Sequence, residues 1–386
     1  SSEDHGSRKT IIRLVKKKRV RLLTPEFVRE CDRLGAPLPR NQDVPEGAFL
    51  DPDQYTDKQL KKLVVIAVSY CWITKEHPDP EGYHLATLAA LVTKFVAGSA
   101  GAAKGRTYTD PSTGETWTGE QEAAAGRLFG AGDGRPVGIF FDFCSLPQKP
   151  YRTPEEEALF KEGLASVNSW YSNAHTVVWR LTSLPKHANR PGYDASGWPF
   201  FEQCVAGLLT QSMWMLRIDA AARAKLLVDD EGGGGGEWAS TKTDYLQLSY
   251  YLMDRSRGAP LAPDRFEELV RSLKFTNGAD LPFVIGKYLK TFLEVIVGAK
   301  FLNYMKLGLD DAAAREALAV ARAHCRVGTL TGRLSFGDNP DLTVPLPEFA
   351  AVVAHFGMAE LTLGNNPRIG GELSAVGGLV SLTHLR

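Results

Sequence analysis

The chain has 386 residues, 44% hydrophobic and 23% charged, with 45 basic and 45 acidic residues and hence no formal net charge. That is core enough for two or three domains, and the balance argues against binding nucleic acid through overall charge. Five scattered cysteines without a CxxC pair fit neither a disulfide framework nor a zinc site. No apolar run reaches the roughly 18 residues of a bilayer span, and the start lacks a signal-peptide core. The expectation is a cytoplasmic, intracellular protein with no membrane span and no bound metal.

Residues 1–50 read as an N-terminal basic arm, in which eight of the fourteen residues from Arg8 to Arg21 are Lys or Arg. The run could be a nuclear-targeting or anionic-surface patch. The interruption of its charges by apolar residues favours solvated edge strands kept apart by charge. TPEFVRECDRLG then predicts a short helix capped by Thr24 and ended by Gly35.

Residues 51–230 alternate strands with helices. Lys62–Trp72 is the first strand and Gly82–Ala97 an apolar helix, and RTYTDPSTGETWTG reads as an inserted hairpin. Val137–Cys144 is an apolar central strand. Thr153 caps a helix running to Asn173, His175–Leu181 is a third strand, and Trp198–Leu216 a further helix. The pattern predicts an α/β fold, a mainly parallel sheet with right-handed crossovers and helices on its faces. Strands 63–70, 137–143 and 175–181 should lie adjacent at its centre. EGGGGGEW from Glu231 reads as a flexible loop or linker. Residues 231–325 read as mostly helical, with helices over Tyr245–Asp254, Pro263–Lys274, Leu281–Val297 and Ala312–Ala323.

Residues 326–386 contain an internal repeat. LSFGDNPDL (334–342) and LTLGNNPRI (361–369) match at a 27-residue offset, and Leu373, Leu379, Leu382 and Leu385 continue a leucine-rich-repeat spacing. In an LxLxxN unit the leucines line the inside of a coil and the Asn hydrogen-bonds backbone at the bend. Leu334–Phe336 and Leu361–Leu363 should be neighbouring parallel strands, with Asn339 and Asn366 at equivalent bends. The sequence stops inside a third unit, so the repeats are expected to continue beyond residue 386.

Three stretches place unusual residues where strands meet loops, the edge at which open α/β sheets gather ligand-binding groups. They are AVSYCW, FFDFCSLPQ, and the strand HTVVWRL followed by GWPFFEQC. This series resembles the HET (heterokaryon-incompatibility) family, which is related to TIR domains. The TIR pattern of a strand ending in Ser followed by WCxxEL is similar to Ser183 and then Trp198 to Glu202. The likeness covers roughly residues 60–215. Ile73 stands where HET proteins have Gly, the middle motif opens Phe-Phe-Asp, and a hairpin separates the first two motifs.

The resemblance implies that Glu202 is catalytic in splitting NAD, a substrate and not a resident cofactor. Ser69, Tyr70, Trp72, Asp142, Ser145 and Trp198 would line the site. On a helix Trp198 and Glu202 are four apart and share a face. The ring would stack on nicotinamide and the carboxylate would steady an oxocarbenium ion. Glu202 should lie in the first turn or two of its helix, near the carboxyl ends of the strands, and that helix-terminal placement would hold it ionised. The plainer alternative has Glu202 complementing a helix dipole and Trp198, Tyr70 and Trp72 in core. A lone Asp142 within an apolar strand must be paired or functional. Cys71, Cys144 and Cys204 have no His close by in sequence and read as buried small residues. His175 reads as structural, no acid–His–Ser set is legible, and no GxxxxGK[ST] occurs, which argues against a P-loop NTPase.

Two functions stand. One is an immune-type signalling effector that binds and hydrolyses NAD, with leucine-rich repeats as its docking surface for protein partners. The other is a non-catalytic TIR-like scaffold that self-associates as a homo-oligomer or joins a larger assembly. Glu202 discriminates: it should face an open cleft beside Tyr70, Trp72 and Asp142 in the first case, and solvent or a basic partner in the second.

Overall fold

Two parallel four-stranded sheets organise the chain in its computed structural model, which describes residues 5, 7–97, 107–109, 116–118, 135–210, 212–227, 236–239, 243–253 and 258–385. The first sheet contains β1 (Val64–Tyr70), β4 (Val137–Phe140), β5 (Thr176–Leu181) and β6 (Met215–Ile218), in the order β4-β1-β5-β6. Every pairing is parallel, with Ile66 opposite both Ile139 and Val177. All seven residues of β1 are buried, as expected of a strand covered on both faces by helices. β2 (Thr107–Thr109) and β3 (Thr116–Thr118) form the expected hairpin.

The three expected strands therefore share one sheet, with β1 and β5 at the centre and β4 outermost. β4 stops at Phe140, and Asp142 opens a one-turn helix, Asp142–Ser145, instead of lying within the strand. The expected helix to Leu216 ends at Gly207 and gives way to β6. Met and Leu carry no strand signal in so short a segment, and pairing with β5 decides its conformation. The Glu231 linker reading falls largely on residues 231–235, outside those described.

The basic segment is neither an arm nor a pair of edge strands. Arg8–Lys16 is a helix, capped by the Ser7 side chain, that buries Ile11, Leu14 and Val15. Their i, i+3, i+4 spacing is the helical period, and full burial of each such side chain contributes about 1.5–3 kcal/mol. Lys16 pairs with Asp57, and Lys18 with Asp51 and Asp53. Strand-like contacts follow the helix at Leu23, whose N–H and carbonyl both bond Ile139 at 2.9 Å and so cover the outer edge of β4, and which also bridges Phe49. The Thr24-capped helix is present as Pro25–Arg33.

The second sheet, ordered β10-β9-β8-β7, is built from β7 (Leu302–Asn303), β8 (Arg333–Ser335), β9 (Glu360–Thr362) and β10 (His384–Leu385). Leu334 stands opposite Leu302 on one side and Leu361 on the other, and Leu361 opposite Leu385. The helices Asp311–His324, Leu346–Phe356 and Ser374–Gly377 return the chain between strands. The sheet thus starts one unit before residue 326. That first unit lies 32 residues ahead of the second and has Leu307 where the others have Asn339 and Asn366, which hides it from a search for LxLxxN. Three equivalent bend residues, Lys306, Asp338 and Asn365, have φ of 57°, 59° and 60°. Asp and Asn tolerate this left-handed backbone better than Lys.

The asparagines close the bends. Asn339, fully buried, accepts the N–H groups of Leu307 and Leu309 at 3.1 Å and donates to the carbonyls of Tyr304 and Phe336. Its own N–H donates to Asn366 Oδ1 at 2.7 Å. Leu302, Leu334 and Leu361 are buried, whereas Leu373 is 70% exposed and does not join the interior. Among the described residues no helix is long and apolar enough to cross a membrane.

Candidate functional site

Glu202 reaches the carboxyl ends of the first sheet because its helix, Gly197–Gly207, is pinned at its start. Gly197 N–H donates to Lys274 carbonyl at 2.8 Å, and the Phe275 ring lies so close that a Cβ at Gly197 would sit 2.1 Å from it. Only glycine permits that approach. Glu202 is the sixth residue of the helix, in its second turn and so within the expected first two, and faces the sheet at 7% exposure.

Its carboxyl ends a buried chain of hydrogen bonds. Ser69 Oγ, near the end of β1, donates to Glu202 Oε2 at 2.5 Å and lies 2.6 Å from the Tyr193 hydroxyl. Arg180 Nε donates to that hydroxyl at 3.2 Å. With Ser69 giving its proton to Glu202, Tyr193 must donate to Ser69, so every donor from the guanidinium to the carboxyl points one way. The other end of Arg180 donates to Gln203 Oε1. Tyr171, whose hydroxyl donates to Val68 carbonyl at 3.0 Å, also contacts Glu202.

Burial pushes the Glu202 carboxyl well above the usual carboxylate range, and the neighbouring Asp142 carboxyl adds to the effect; the bonds from Ser69 and Tyr171 only oppose it. Burial likewise raises Tyr193 to about 12. This overturns the expectation of an ionised Glu202: seated inside the fold and beyond the first turn, it loses hydration without gaining the helix terminus.

A second pair stands beside the chain. Tyr70 donates its hydroxyl to Asp142, which also accepts Phe143 N–H at 2.8 Å. Burial raises Asp142 against both bonds. The Tyr70 ring stacks on Phe141 at 4.2 Å. The fold therefore brings Ser69, Tyr70, Asp142 and Glu202 together at one sheet edge. Trp72 stands nearby, half-buried and edge-on to Phe143. Ser145, fully buried, accepts Phe141 N–H and serves its own turn. Trp198 does not line the site: its indole N–H donates to Asp280 at 2.9 Å and its ring packs on Phe201 and Phe283. Sharing a helix face with Glu202 did not direct the ring to it, because the Asp280–Ile296 helix offers a closer partner. Glu202 faces neither an open cleft nor solvent.

Arg180 and Tyr193 were not among the expected site residues. Arg180 is the one charge inside the apolar strand TVVWRL, the same signal that singled out Asp142. Tyr193 opens a one-turn 3-10 helix, Tyr193–Ala195, with no pattern to mark it. The fold also assembles an acid–His–Ser set: His5 bonds Glu294 through Nε2 at 3.1 Å and Ser172 through Nδ1 at 2.9 Å. Ser172 is wholly buried, so the set ties residue 5 to the Asp280–Ile296 helix and offers no accessible nucleophile. Cys71 and Cys144 are buried and Cys204 partly so; burial raises the Cys71 thiol to about 11 and Cys204 to about 12. Among the described residues no group of three or more His, Cys, Asp or Glu could hold a metal ion. Comparison with family models, with curated proteins and with solved structures finds no match in any of the three.

Proposed function

We propose that the chain is an intracellular signalling protein that works by recognising protein partners, a HET/TIR-like α/β domain joined to leucine-rich repeats. The observation that carries the reading is the state of Glu202. Its carboxyl is 7% exposed, bonded to Ser69 and chained to a buried arginine, as a group holding a helix to a sheet would be. The strands of the second sheet, with the Asn339–Asn366 contact between successive bends, supply a regular surface of the kind repeat proteins use for docking.

A second reading, NAD cleavage, is favoured by one observation: Ser69, Tyr70, Asp142 and Glu202 converge at the carboxyl ends of parallel strands, and both carboxyls are raised by burial, a combination that concentrates at active sites. It requires the Ser69–Glu202 contact to open and admit the nicotinamide ribose. Incubating the pure protein with NAD and following nicotinamide release separates the two. The recognition reading expects release no faster than from Glu202→Gln; release that this substitution abolishes, in a variant still folded, establishes the enzyme.

A further inference from the structure

The Gly197–Gly207 helix presents a second face to a cavity. Turned away from Glu202, its residues Phe200, Gln203 and Cys204 line a cavity of about 230 Å³, closed on the other side by Pro260, Leu269 and Ala313. Five of these six side chains are apolar or carry only a thiol, and that thiol is raised to about 12 by burial; Glu316 is the one acidic residue in the lining. The cavity is partly open to solvent, and its volume exceeds the about 150 Å³ of an enclosed apolar cavity that takes up benzene, which leaves room for a fused two-ring system.

Gln203 gives the cavity its connection. Its Oε1 accepts from Arg180, which holds Tyr193, which holds Ser69 and through it Glu202. One residue thus belongs both to the wall of the cavity and to the far end of the buried chain. We propose that the cavity is a binding site for a small uncharged planar ring of about the size of indole, and that its occupancy is transmitted through Gln203 and Arg180 to Glu202. A ring in the cavity restrains the Gln203 side chain, and fixing that acceptor fixes the guanidinium that orients Tyr193. The mainly apolar lining disfavours a charged ligand, which would lose hydration there without a buried partner. The inference is independent of whether Glu202 cleaves NAD, since it concerns the state of the carboxyl and not a reaction.

The test titrates the whole chain with indole, using saturation-transfer NMR for binding and the ¹³C carboxyl resonance of Glu202 for transmission. The resonance is assigned from its loss in Glu202→Gln. Indole is expected to bind saturably and to shift that resonance, and indole-3-acetate to bind at least about tenfold more weakly. Ala313→Leu, which fills the cavity, is expected to weaken indole binding by about tenfold or more. Ala259→Leu on the opposing loop serves the same purpose should Ala313→Leu not fold. Absence of saturable binding, or equal binding by the filled variant, overturns the site. Binding that leaves the Glu202 resonance in place overturns the transmission.

Discussion

The two parallel sheets treat buried polar side chains in opposite ways. In the repeat sheet, Asn339 and Asn366 are neutral amides whose donors and acceptors meet backbone a few residues away or in the adjacent coil. In the α/β sheet, Glu202, Ser69, Tyr193 and Arg180 come from a helix, a strand, a one-turn 3-10 helix and a second strand, and meet one another. The first arrangement is modular, and the one buried carboxyl at its bends, Asp338, meets Asn365 and Lys306 of neighbouring bends, while the second joins distant segments and carries ionisable groups at both ends. The buried polar groups of the repeat sheet, the Asp338–Lys306 pair included, find partners in their own or the adjacent bend. A network of ionisable side chains gathered across the fold has a state that can change.

Asn339→Ala offers the strongest challenge to that contrast. It strips acceptors from Leu307 and Leu309 and donors from Tyr304 and Phe336 in a site closed to water. The expected cost is about 3–5 kcal/mol, since each buried orphan costs roughly 1–3. Urea denaturation measures it, and a loss under about 1 kcal/mol would show that the bend does not depend on the amide. Arg180→Met should follow at about 3 kcal/mol, because it leaves Tyr193 and Gln203 without their buried donor. Near-neutral stability for this variant would mean that the ionic chain is dispensable. Asn366→Ala should cost about 2 kcal/mol, less than its neighbour because it makes fewer bonds, to Phe336, Leu363 and Asn339.

The last effect is a slope with pH, not a fixed loss. Glu202 has a folded pKa raised above its ordinary 4.5. Its stabilising contribution is therefore fully present below about pH 4.5 and is lost as pH climbs toward the folded value. Glu202→Gln cannot ionise, so its stability relative to the native chain should improve with rising pH across that window, by up to about 1.4 kcal/mol per pH unit. Asp142, also raised, keeps part of the slope in the variant. Melting curves from pH 4.5 to 8 check it, and a difference independent of pH would show that Glu202 is as ionised in the fold as in the unfolded chain.

Local periodicity was a good guide wherever one segment carried its own signal. The unbroken apolar runs of β1 and β5, the Thr24 and Thr153 caps, and the 27-residue offset that pairs Leu334 with Leu361 could all be read directly. It misled where two periods compete in a short window. Ile11, Leu14 and Val15 suggest strand in the sequence because the basic residues among them hide the helical spacing. β6 was read as the end of a helix because four residues are too few to display alternation.

Residue order alone assigns which residue types reach each strand end and where the two asparagine-bearing units recur, since chain geometry fixes both within a few residues. Only the tertiary structure decided what those side chains meet. It turned Trp198 to Asp280, gave Ser69 to Glu202, and joined Arg180 to the same chain through Tyr193. It also decided the charge state expected of Glu202, because desolvation depends on everything packed around a carboxyl and not on its neighbours in sequence.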